Sequence, residues 1–341
     1  MRLIIQIPCY NEATTLPVVI ADLPRELPGV TSVHFLVIDD GSSDGTAQIA
    51  RELGVDFVVA HAHNRGIAAA FQTGLDACLR LGADIIVNTD GDHQYPGRYI
   101  GELVAPIVRG EADMVIGNRQ TETVAYFSPT KRILQQAGSW VVRMTSGTSV
   151  PDATSGFRAL SRETALRLNV LTTFSYTLET IIQAGKKGLR VHHIPVSVNP
   201  PTRRSRLVRN NWHYIFRQAA TILRIYTLYE PFKTFGALAL PFLLAGVFLI
   251  SRFLFFYATG QTYMGRHVQS VVIGGTALTL GFLIVLFGIL AEISAMNRRL
   301  IEETLYRLRR SEVQPTPAEH ASKTLAPTVS PEKNTVSPER N

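Results

Sequence analysis

Two stretches in the C-terminal third of the chain carry almost no charge over lengths that could cross a membrane. Residues 235–257 contain one charged side chain, Arg252, and residues 268–291 contain none. As a helix, each stretch is long enough to cross roughly 30 Å of hydrocarbon. Soluble helices rarely lack charge over such a length, which disfavours the alternative of two buried core helices. The sequence therefore predicts transmembrane helices at 233–257 and 268–292.

The connection between the two predicted spans is short, so both flanks of the pair lie on the same side of the membrane. Lys and Arg are concentrated in those flanks, whereas the connection at 258–267 holds only Arg266 and His267. Short loops rich in Lys and Arg stay in the cytoplasm. We therefore expect a multi-pass protein of the cell (inner or plasma) membrane, with the large N-terminal domain and both termini in the cytoplasm.

The segments that flank the spans differ in composition. Residues 207–232 mix aromatic side chains such as Trp212 with cations such as Arg217, which predicts an amphipathic helix on anionic headgroups. The alternative is an ordinary amphipathic helix packed on the domain. Residues 293–311 predict a basic cytoplasmic helix. Residues 312–341 are rich in Pro, Thr, Ser and Glu, and they predict a disordered tail.

The net charge is positive, with 34 Lys and Arg against 27 Asp and Glu. Such an excess can indicate nucleic acid, anionic lipid or a phosphorylated substrate. Here the charge is gathered beside the predicted spans, which argues against a nucleic-acid partner and for the lipid bilayer. Cys9 and Cys78 are far apart and have no partner spacing, so they predict neither a disulfide framework nor a zinc site.

The N-terminal domain, residues 1–206, alternates short β-branched runs with helical patterns. The predicted strands are 3–7, 33–38, 57–60, 85–88 and 114–116. The predicted helices are 13–27, 45–53, 66–81 and 98–109. This alternation favours an α/β fold with a mainly parallel sheet and helices on both faces.

The fourth predicted strand ends in a pair of aspartates, Asp90 and Asp92, separated only by a glycine. Open α/β sheets place their ligands at the carboxyl ends of the strands. Two carboxylates there suit a divalent cation that completes its coordination with water and substrate phosphates. For this motif alone, a polar turn at the end of a strand remains an open alternative.

Further polar segments follow the other predicted strands. They are residues 8–12 (PCYNE), 39–46 (DDGSSDGT), 64–66 (NRG), 117–119 (GNR) and 152–162 (DATSGFRALSR). Because the carboxyl ends of parallel strands share one edge of a sheet, we expect these segments to meet in one crevice.

Taken in order, these motifs resemble the family 2 glycosyltransferases with the GT-A fold. The resemblance is to the branch that includes dolichyl-phosphate mannose synthase and bacterial polyprenyl-phosphate glycosyltransferases, and it covers about residues 1–210. It implies a Rossmann-like GT-A catalytic domain with a mainly parallel sheet, an interfacial helix and a two-helix transmembrane hairpin. The middle residue of GNR departs from the common serine. The register of the loop NPPTRRSRL, which matches a family motif near the acceptor phosphate, stays open.

The resemblance also implies roles for individual residues. Residues expected to bind the nucleotide sugar are Pro8, Tyr10, Asn11, Glu12, Asp39, Asp90 and Arg119. Residues expected to hold Mg²⁺ or Mn²⁺ are Asp90, Asp92 and Gln94. The catalytic residues implied are Asp92, Asp152 and Arg158. Contacts to the acceptor lipid phosphate are expected from Ser155, Arg203, Ser205 and Arg206.

The activity implied is an inverting, metal-dependent transfer of a hexose from a UDP- or GDP-sugar to polyprenyl phosphate. The acceptor would be an undecaprenyl or dolichyl phosphate at the cytoplasmic membrane face. Two alternatives stay open: a family 2 transferase that uses a glycan or another lipid as acceptor, and an inactive membrane-tethered protein that binds nucleotide sugars. A homo-oligomer is compatible with the sequence, which does not identify the sugar.

Overall fold

The structure is a computed structural model of the chain, and it describes residues 1–120, 129–170, 176–200, 223–224, 226–260 and 268–313. For residues 129–135 and 137 only the backbone is described. The predicted acceptor-phosphate residues Arg203, Ser205 and Arg206 lie outside these ranges. So do most of the predicted interfacial helix and residues 314–341 of the predicted tail.

Strands and helices alternate through the N-terminal domain. The elements are β1 (Arg2–Cys9), α1 (Leu16–Asp22), β2 (Ser32–Asp39), α2 (Thr46–Glu52), β3 (Phe57–Ala60), α3 (Ile67–Arg80), β4 (Ile85–Asn88), α4 (Ile100–Val108), β5 (Met114–Asn118), α5 (Pro129–Ser146), β6 (Arg158–Ser161), α6 (Arg162–Arg167), α7 (Tyr176–Lys186) and β7 (Val191–Pro195). Two long helices follow, α8 (Pro231–Ala258) and α9 (Val268–Val313).

The strands form one seven-stranded sheet in the order β3-β2-β1-β4-β6-β5-β7. All neighbouring pairs are parallel except those of β6, which runs antiparallel to both β4 and β5. The five strands predicted from the sequence are confirmed, and so is the mainly parallel sheet. The sequence reasoning missed β6 and β7. Because β6 is antiparallel, its amino end lies at the same edge of the sheet as the carboxyl ends of β4 and β5.

Helices cover both faces of the sheet, as predicted. Along β1, Leu3, Ile5 and Ile7 pack with α1 and α4, while Ile4 points to the opposite face and packs with α3 and α7. This alternation follows from the two-residue period of a strand. Both faces of β1 are buried, so its sequence is an almost continuous apolar run, as expected for a central parallel strand.

The two C-terminal helices pack against each other along a stripe of small residues. Gly274, Gly281 and Gly288 recur every seven residues on α9 and are buried there. A Cβ built on Gly281 would lie 2.7 Å from the side chain of Leu243, so only a glycine fits. Spacing of seven favours a shallow, left-handed crossing. Both helices are long and apolar enough to cross a membrane, and large side chains such as Phe282 are exposed on them.

Helix α9 continues without a break into contact with the N-terminal domain. The predicted span at 268–292 and the predicted basic helix at 293–311 thus form one helix, which ends at Val313, two residues into the predicted tail. No Gly or Pro lies between 289 and 313 to end the helix. The Tyr306 hydroxyl donates to Glu163 Oε1 (2.9 Å), and Arg309 lies 3.3 Å from Asp76 Oδ1.

Candidate active site

The Asp-Gly-Asp turn after β4 is packed against the end of β1. A Cβ on Gly91 would lie 2.8 Å from Cys9 Sγ and 3.5 Å from the Pro8 carbonyl oxygen, so a larger residue does not fit. The Thr15 hydroxyl donates to the Gly91 carbonyl oxygen (2.8 Å). These contacts fix the backbone from which Asp90 and Asp92 project.

The PCYNE segment is tied to the loop after β2. Asn11 has a left-handed backbone conformation (φ 54°). Its backbone N–H donates to Ser42 Oγ, and its side-chain Oδ1 accepts from the backbone N–H of Ser43, both at 2.9 Å. Asp39 Oδ1 accepts from the Ser42 amide (3.0 Å). Tyr10 is 42% exposed. The side chains of Asn11 and Asp39 therefore order this edge, while the Tyr10 ring faces solvent.

A neighbouring aspartate that sequence reasoning did not select, Asp40, holds the loop before α3. Its carboxylate accepts from the amides of Arg65 (2.9 Å) and Gly66 (2.8 Å), and His61 Nδ1 lies 2.7 Å away. Asp40 is 3% exposed, so these partners satisfy a carboxylate that would otherwise be buried alone. The sequence signal was the Asp-Asp pair itself, of which only Asp39 was given a role.

Asp90 lies against Gly156, in the segment that precedes β6. A Cβ on Gly156 would lie 3.0 and 3.2 Å from the two carboxylate oxygens of Asp90. In the part of the chain that the structure describes, no group donates a hydrogen bond to Asp90. Burial, and secondly the charge of Asp92, raise the pKa of Asp90 to about 7. Asp92 Oδ1 accepts from the Gln94 amide (3.1 Å).

The ends of β5 and of the segment before β6 are joined by an ion pair. Arg119 Nε lies 2.7 Å from Asp152 Oδ2, and its Nη2 lies 3.0 Å from Asp152 Oδ1. Asp152 is 1% exposed. Burial alone would raise its pKa, but the charge of Arg119 and its hydrogen bonds outweigh burial and hold the pKa below its usual value. Asp152 is thus an ionised, fully engaged carboxylate.

Arg158 is completely buried at the start of β6. Its Nη1 donates to Thr180 Oγ1 (2.5 Å), its Nη2 donates to the Ser155 carbonyl oxygen, and its guanidinium lies 5.2 Å from the ring centroid of Tyr176. No carboxylate of the described residues is within 4.0 Å of it. Its charge acts on Asp90 and Asp152 at longer range. Ser155, predicted to meet the acceptor, is also buried.

A buried polar network behind Asp90 was not predicted. Gln6 Nε2 donates to Asn88 Oδ1 (2.9 Å), which turns Asn88 Nδ2 toward the Gly156 carbonyl oxygen (2.9 Å) and the Tyr176 hydroxyl (3.0 Å). Gln6 and Asn88 are completely buried. The signal in the sequence was an amide side chain inside each of two apolar strands. The network links β1 and β4 to the Gly156 backbone and to α7.

The chain leaves this edge of the sheet beside Gln94. The Asn199 amide donates to the Gln94 carbonyl oxygen (3.0 Å), and Asn199 Nδ2 donates to the His93 carbonyl oxygen (2.9 Å). The NPPTRRSRL loop therefore begins at the Asp-Gly-Asp turn. The described site residues are thus brought together at one edge: those of β1, β2, β4 and β5 at carboxyl ends, and those of β6 at its amino end.

The donor set fits a hard divalent cation. Within the described ranges no group of three or more His, Cys, Asp or Glu side chains could enclose a metal ion. Asp90 and Asp92 supply two carboxylates instead. Mg²⁺ is commonly held by one or two carboxylates together with substrate phosphates, so two acidic ligands at an open edge match that chemistry. The unbonded Asp90 carboxylate is consistent with an incoming cation.

Comparison with known proteins finds similarity to glycosyltransferases. The glycosyl transferase family 2 matches residues 4–167. Polyprenol monophosphomannose synthase of Mycolicibacterium smegmatis is 28% identical over 207 residues, covering 58% of this chain and 77% of that protein. UDP-N-acetylglucosamine–dolichyl-phosphate N-acetylglucosaminyltransferase of Methanococcus voltae is 27% identical, covering 56% of this chain and 82% of that protein.

Among solved structures, glucosyl-3-phosphoglycerate synthase of Mycobacterium tuberculosis is similar in fold. Its complex with phosphoglyceric acid has a TM-score of 0.52 at 22% identity and covers 66% of this chain and 79% of that chain. Its complex with Mn²⁺, UDP-glucose and phosphoglyceric acid has a TM-score of 0.50, also at 22% identity, covering 65% and 78%. This similarity confirms the GT-A-like α/β fold expected for the N-terminal domain.

Proposed function

We propose that this chain transfers a hexose from a nucleotide sugar to polyprenyl phosphate at the cytoplasmic face of a membrane. The chain belongs to glycosyl transferase family 2 and is a glycosyltransferase, and the proposal starts from that membership. One observation carries the proposal. The paired carboxylates Asp90 and Asp92 and the segment containing Asp152 and Arg158 meet at one sheet edge, in a chain with two helices of membrane-spanning length. The named relatives support a polyprenyl phosphate as acceptor.

The donor nucleotide is proposed to lie over the carboxyl ends of β1 and β2. Tyr10, exposed at this edge, presents an aromatic ring to the nucleoside, while Pro8, Asn11, Glu12 and Asp39 shape the surface beneath it. Rigid loops favour binding because little conformational entropy is lost when the donor is held.

The divalent cation, Mg²⁺ or Mn²⁺, is proposed to be held by Asp90, Asp92 and Gln94. When bound, it neutralises the charge that grows on the nucleoside diphosphate as the glycosidic bond breaks. Arg158 and Arg119 add fixed positive charge at the same edge. Because the protein already orients these charges, they need no reorganisation during the reaction.

The attacking group is proposed to be the lipid phosphate itself. A phosphate monoester has a second pKa near 6 and is largely dianionic at neutral pH, so it hardly needs a general base. This agrees with the bidentate ion pair between Arg119 and Asp152, which supports an orienting role for Asp152. Attack from the face opposite the leaving group inverts the anomeric centre, so an α-linked donor gives a β-linked product.

The acceptor is proposed to reach the site along the loop that starts at Asn199. Arg203, Ser205 and Arg206 of that loop would contact the acceptor phosphate, whereas Ser155, also predicted for this role, is completely buried and would act only through its neighbours. Helices α8 and α9 would hold the enzyme in the cell (inner or plasma) membrane, with the catalytic domain and both termini in the cytoplasm. A bidentate guanidinium suits phosphate, which is why two arginines in this loop fit the role.

Transfer to the lipid can be measured directly. Purified full-length protein is incubated with Mn²⁺, undecaprenyl phosphate and a panel of radiolabelled nucleotide sugars, and we expect one donor to label the organic phase. Asp92→Asn should abolish transfer without unfolding the protein, whereas Glu111→Gln, at an exposed carboxylate paired with Arg109, should leave it unchanged. Unchanged turnover of Asp92→Asn would reject the metal role. Label that enters only a water-soluble glycan would favour the glycan-acceptor alternative.

A further inference from the structure

A cavity of about 580 Å³ lies between residues 223–235 and the cytoplasmic end of the apolar part of α9. Its wall is mostly apolar. The residues that form this wall include Leu223, Leu228, Phe235 and Ala291. Two arginines, Arg224 and Arg298, also line it, and none of its described lining residues is acidic. We propose that this cavity binds an anionic phospholipid of the surrounding membrane, at a place separate from the reaction site.

Arg298 is a cation of this cavity whose buried N–H groups lack a hydrogen-bond acceptor among the described residues. Its guanidinium stacks over the Tyr229 ring, 4.4 Å from the centroid, and the side chain is 16% exposed. Its buried Nε and Nη1 atoms donate no hydrogen bond to any described residue. Glu302 Oε1 is 3.7 Å from Nε, beyond hydrogen-bond length, and the other oxygen of Glu302 lies 3.1 Å from Lys187. Stacking covers one face of the guanidinium, and a phosphate oxygen bound in the cavity would supply the acceptor that these buried N–H groups lack.

The position of Arg298 along α9 matches the headgroup layer. The uncharged stretch of α9 ends at Ala291, and Arg298 follows seven residues later, about 10 Å along the helix. Headgroup regions extend roughly 5–8 Å beyond the hydrocarbon on each side. A long arginine side chain can reach back across the remaining distance. Arg298 therefore lies at phosphate depth, and the apolar wall faces the hydrocarbon, as a phospholipid requires.

The cavity lies near the end of α7 that points away from Asp90. Arg298 also lines a neighbouring cavity of about 330 Å³ together with Lys186, the last residue of α7. The other end of α7, Tyr176, touches the network beside Asp90. The ten helical steps from Tyr176 to Lys186 separate these ends by about 15 Å. This separation favours a lipid that does not react, and the inference depends on the proposed membrane placement of α8 and α9.

Charge around the second cavity also favours an anion. Its lining contains five Lys or Arg residues and two Glu residues. Several of these cations are already paired, since Lys186 contacts Glu230 and Arg167 lies 2.6 Å from Glu163 Oε1. These pairs neutralise part of the positive charge, so the attraction for an anion comes mainly from the arginines that the carboxylates do not hydrogen-bond.

Lipid binding can be measured without any transfer reaction. Full-length protein in an uncharged detergent is titrated with phosphatidylglycerol, and bound lipid is counted by native mass spectrometry, with phosphatidylcholine as the neutral comparison. We expect wild type to favour phosphatidylglycerol and Arg298→Gln to weaken that binding at least about tenfold, because a hydrogen bond to a charged group is lost. Arg307→Gln, on an exposed side chain of the same helix segment, should bind as wild type does.

A second variant guards against misfolding of Arg298→Gln. Ser294→Trp fills the cavity from an exposed position and leaves both arginines in place, so it should also prevent phosphatidylglycerol binding. Equal binding of the two phospholipids by wild type, or full binding by Ser294→Trp, would overturn the site. Displacement of phosphatidylglycerol by equimolar undecaprenyl phosphate would overturn it too, since the cavity would then belong to the acceptor. Loss of transfer by Asp92→Asn tests the reaction separately.

Discussion

Gly156 offers a sharp test of how Asp90 is held, because a single methyl group at this position meets the carboxylate directly. In Gly156→Ala the new Cβ would lie 2.8 Å from the Tyr176 hydroxyl and 3.0 Å from Asp90 Oδ1. An ordinary carbon–oxygen contact is about 3.3 Å or longer. Gly156 is not among the glycines with positive φ, so alanine suits the backbone and only the side-chain contacts are strained.

The two contacted groups differ in their freedom to move. Tyr176 is buried and stacks on Phe71 with ring centroids 3.9 Å apart, whereas Asp90 is partly exposed and accepts no hydrogen bond from the described residues. Asp90 should therefore give way. Overpacking typically costs 1–3 kcal/mol, and we expect about 1 kcal/mol here because a mobile side chain relieves the clash. A displaced catalytic group can cost about 100-fold in rate.

The assay compares three quantities in the same preparations: the urea midpoint, the Mn²⁺ affinity by calorimetry and the rate of transfer to lipid. Gly101→Ala is the matched control, because its Cβ would meet only the end of the Leu27 side chain at 3.4 Å. In Gly156→Ala with Tyr176→Phe the hydroxyl clash is gone, but the hydrogen bond from Asn88 Nδ2 is lost as well. The double variant is therefore compared with Tyr176→Phe alone; its stability should match that single variant, while its Mn²⁺ affinity stays low. Wild-type Mn²⁺ affinity and rate in Gly156→Ala would refute the placement of Asp90.

Two further predictions concern the ion pair and the helix stripe. Because Arg119 lowers the pKa of Asp152, the pair stabilises the fold above the usual carboxyl pKa of about 4, and this contribution is lost as the pH falls through the lowered value. The urea midpoint of Asp152→Asn should therefore fall below wild type at pH 7, with the gap closing in acid; a gap that does not depend on pH would contradict this. Gly281→Leu should lower the thermal midpoint in micelles, because its Cβ meets Leu243, whereas Gly275→Leu, with open space around its Cβ, should not; equal midpoints would contradict the packing.

The sequence was sufficient for the strands that carry a strong apolar pattern and insufficient for the others. Strands β1 to β5 are β-branched runs, and their periodicity located them. Strand β6 has only four residues and begins with an arginine, and β7 contains two adjacent histidines that are exposed. Neither pattern resembles a buried strand. Because β6 was not predicted, the sequence could not show that the segment containing Asp152 leads into an antiparallel strand.

The site shows the same division. The acidic pair and the Asp152 segment could be identified because local spacing marks them. The network of Gln6, Asn88 and Tyr176 could not, because it depends on strand register: Gln6 pairs with Asn88 across β1 and β4. Tyr176 arrives from a helix 88 residues further along the chain. Such contacts are set by tertiary packing, which no single segment encodes.

In the proposed membrane placement, the unbroken length of α9 would make the enzyme sensitive to the thickness of its bilayer. The stripe of Gly274, Gly281 and Gly288 continues with the same spacing to Ala295 and Glu302, so one helix face first meets α8 and then approaches the catalytic domain. The part beyond Ala291 is about 33 Å long. Hydrophobic mismatch tilts such helices, and a tilt of about 10° would swing its far end by about 6 Å. Because no Gly or Pro interrupts this part of α9 to absorb that swing, a thinner or thicker bilayer would tilt the whole catalytic domain relative to the membrane surface.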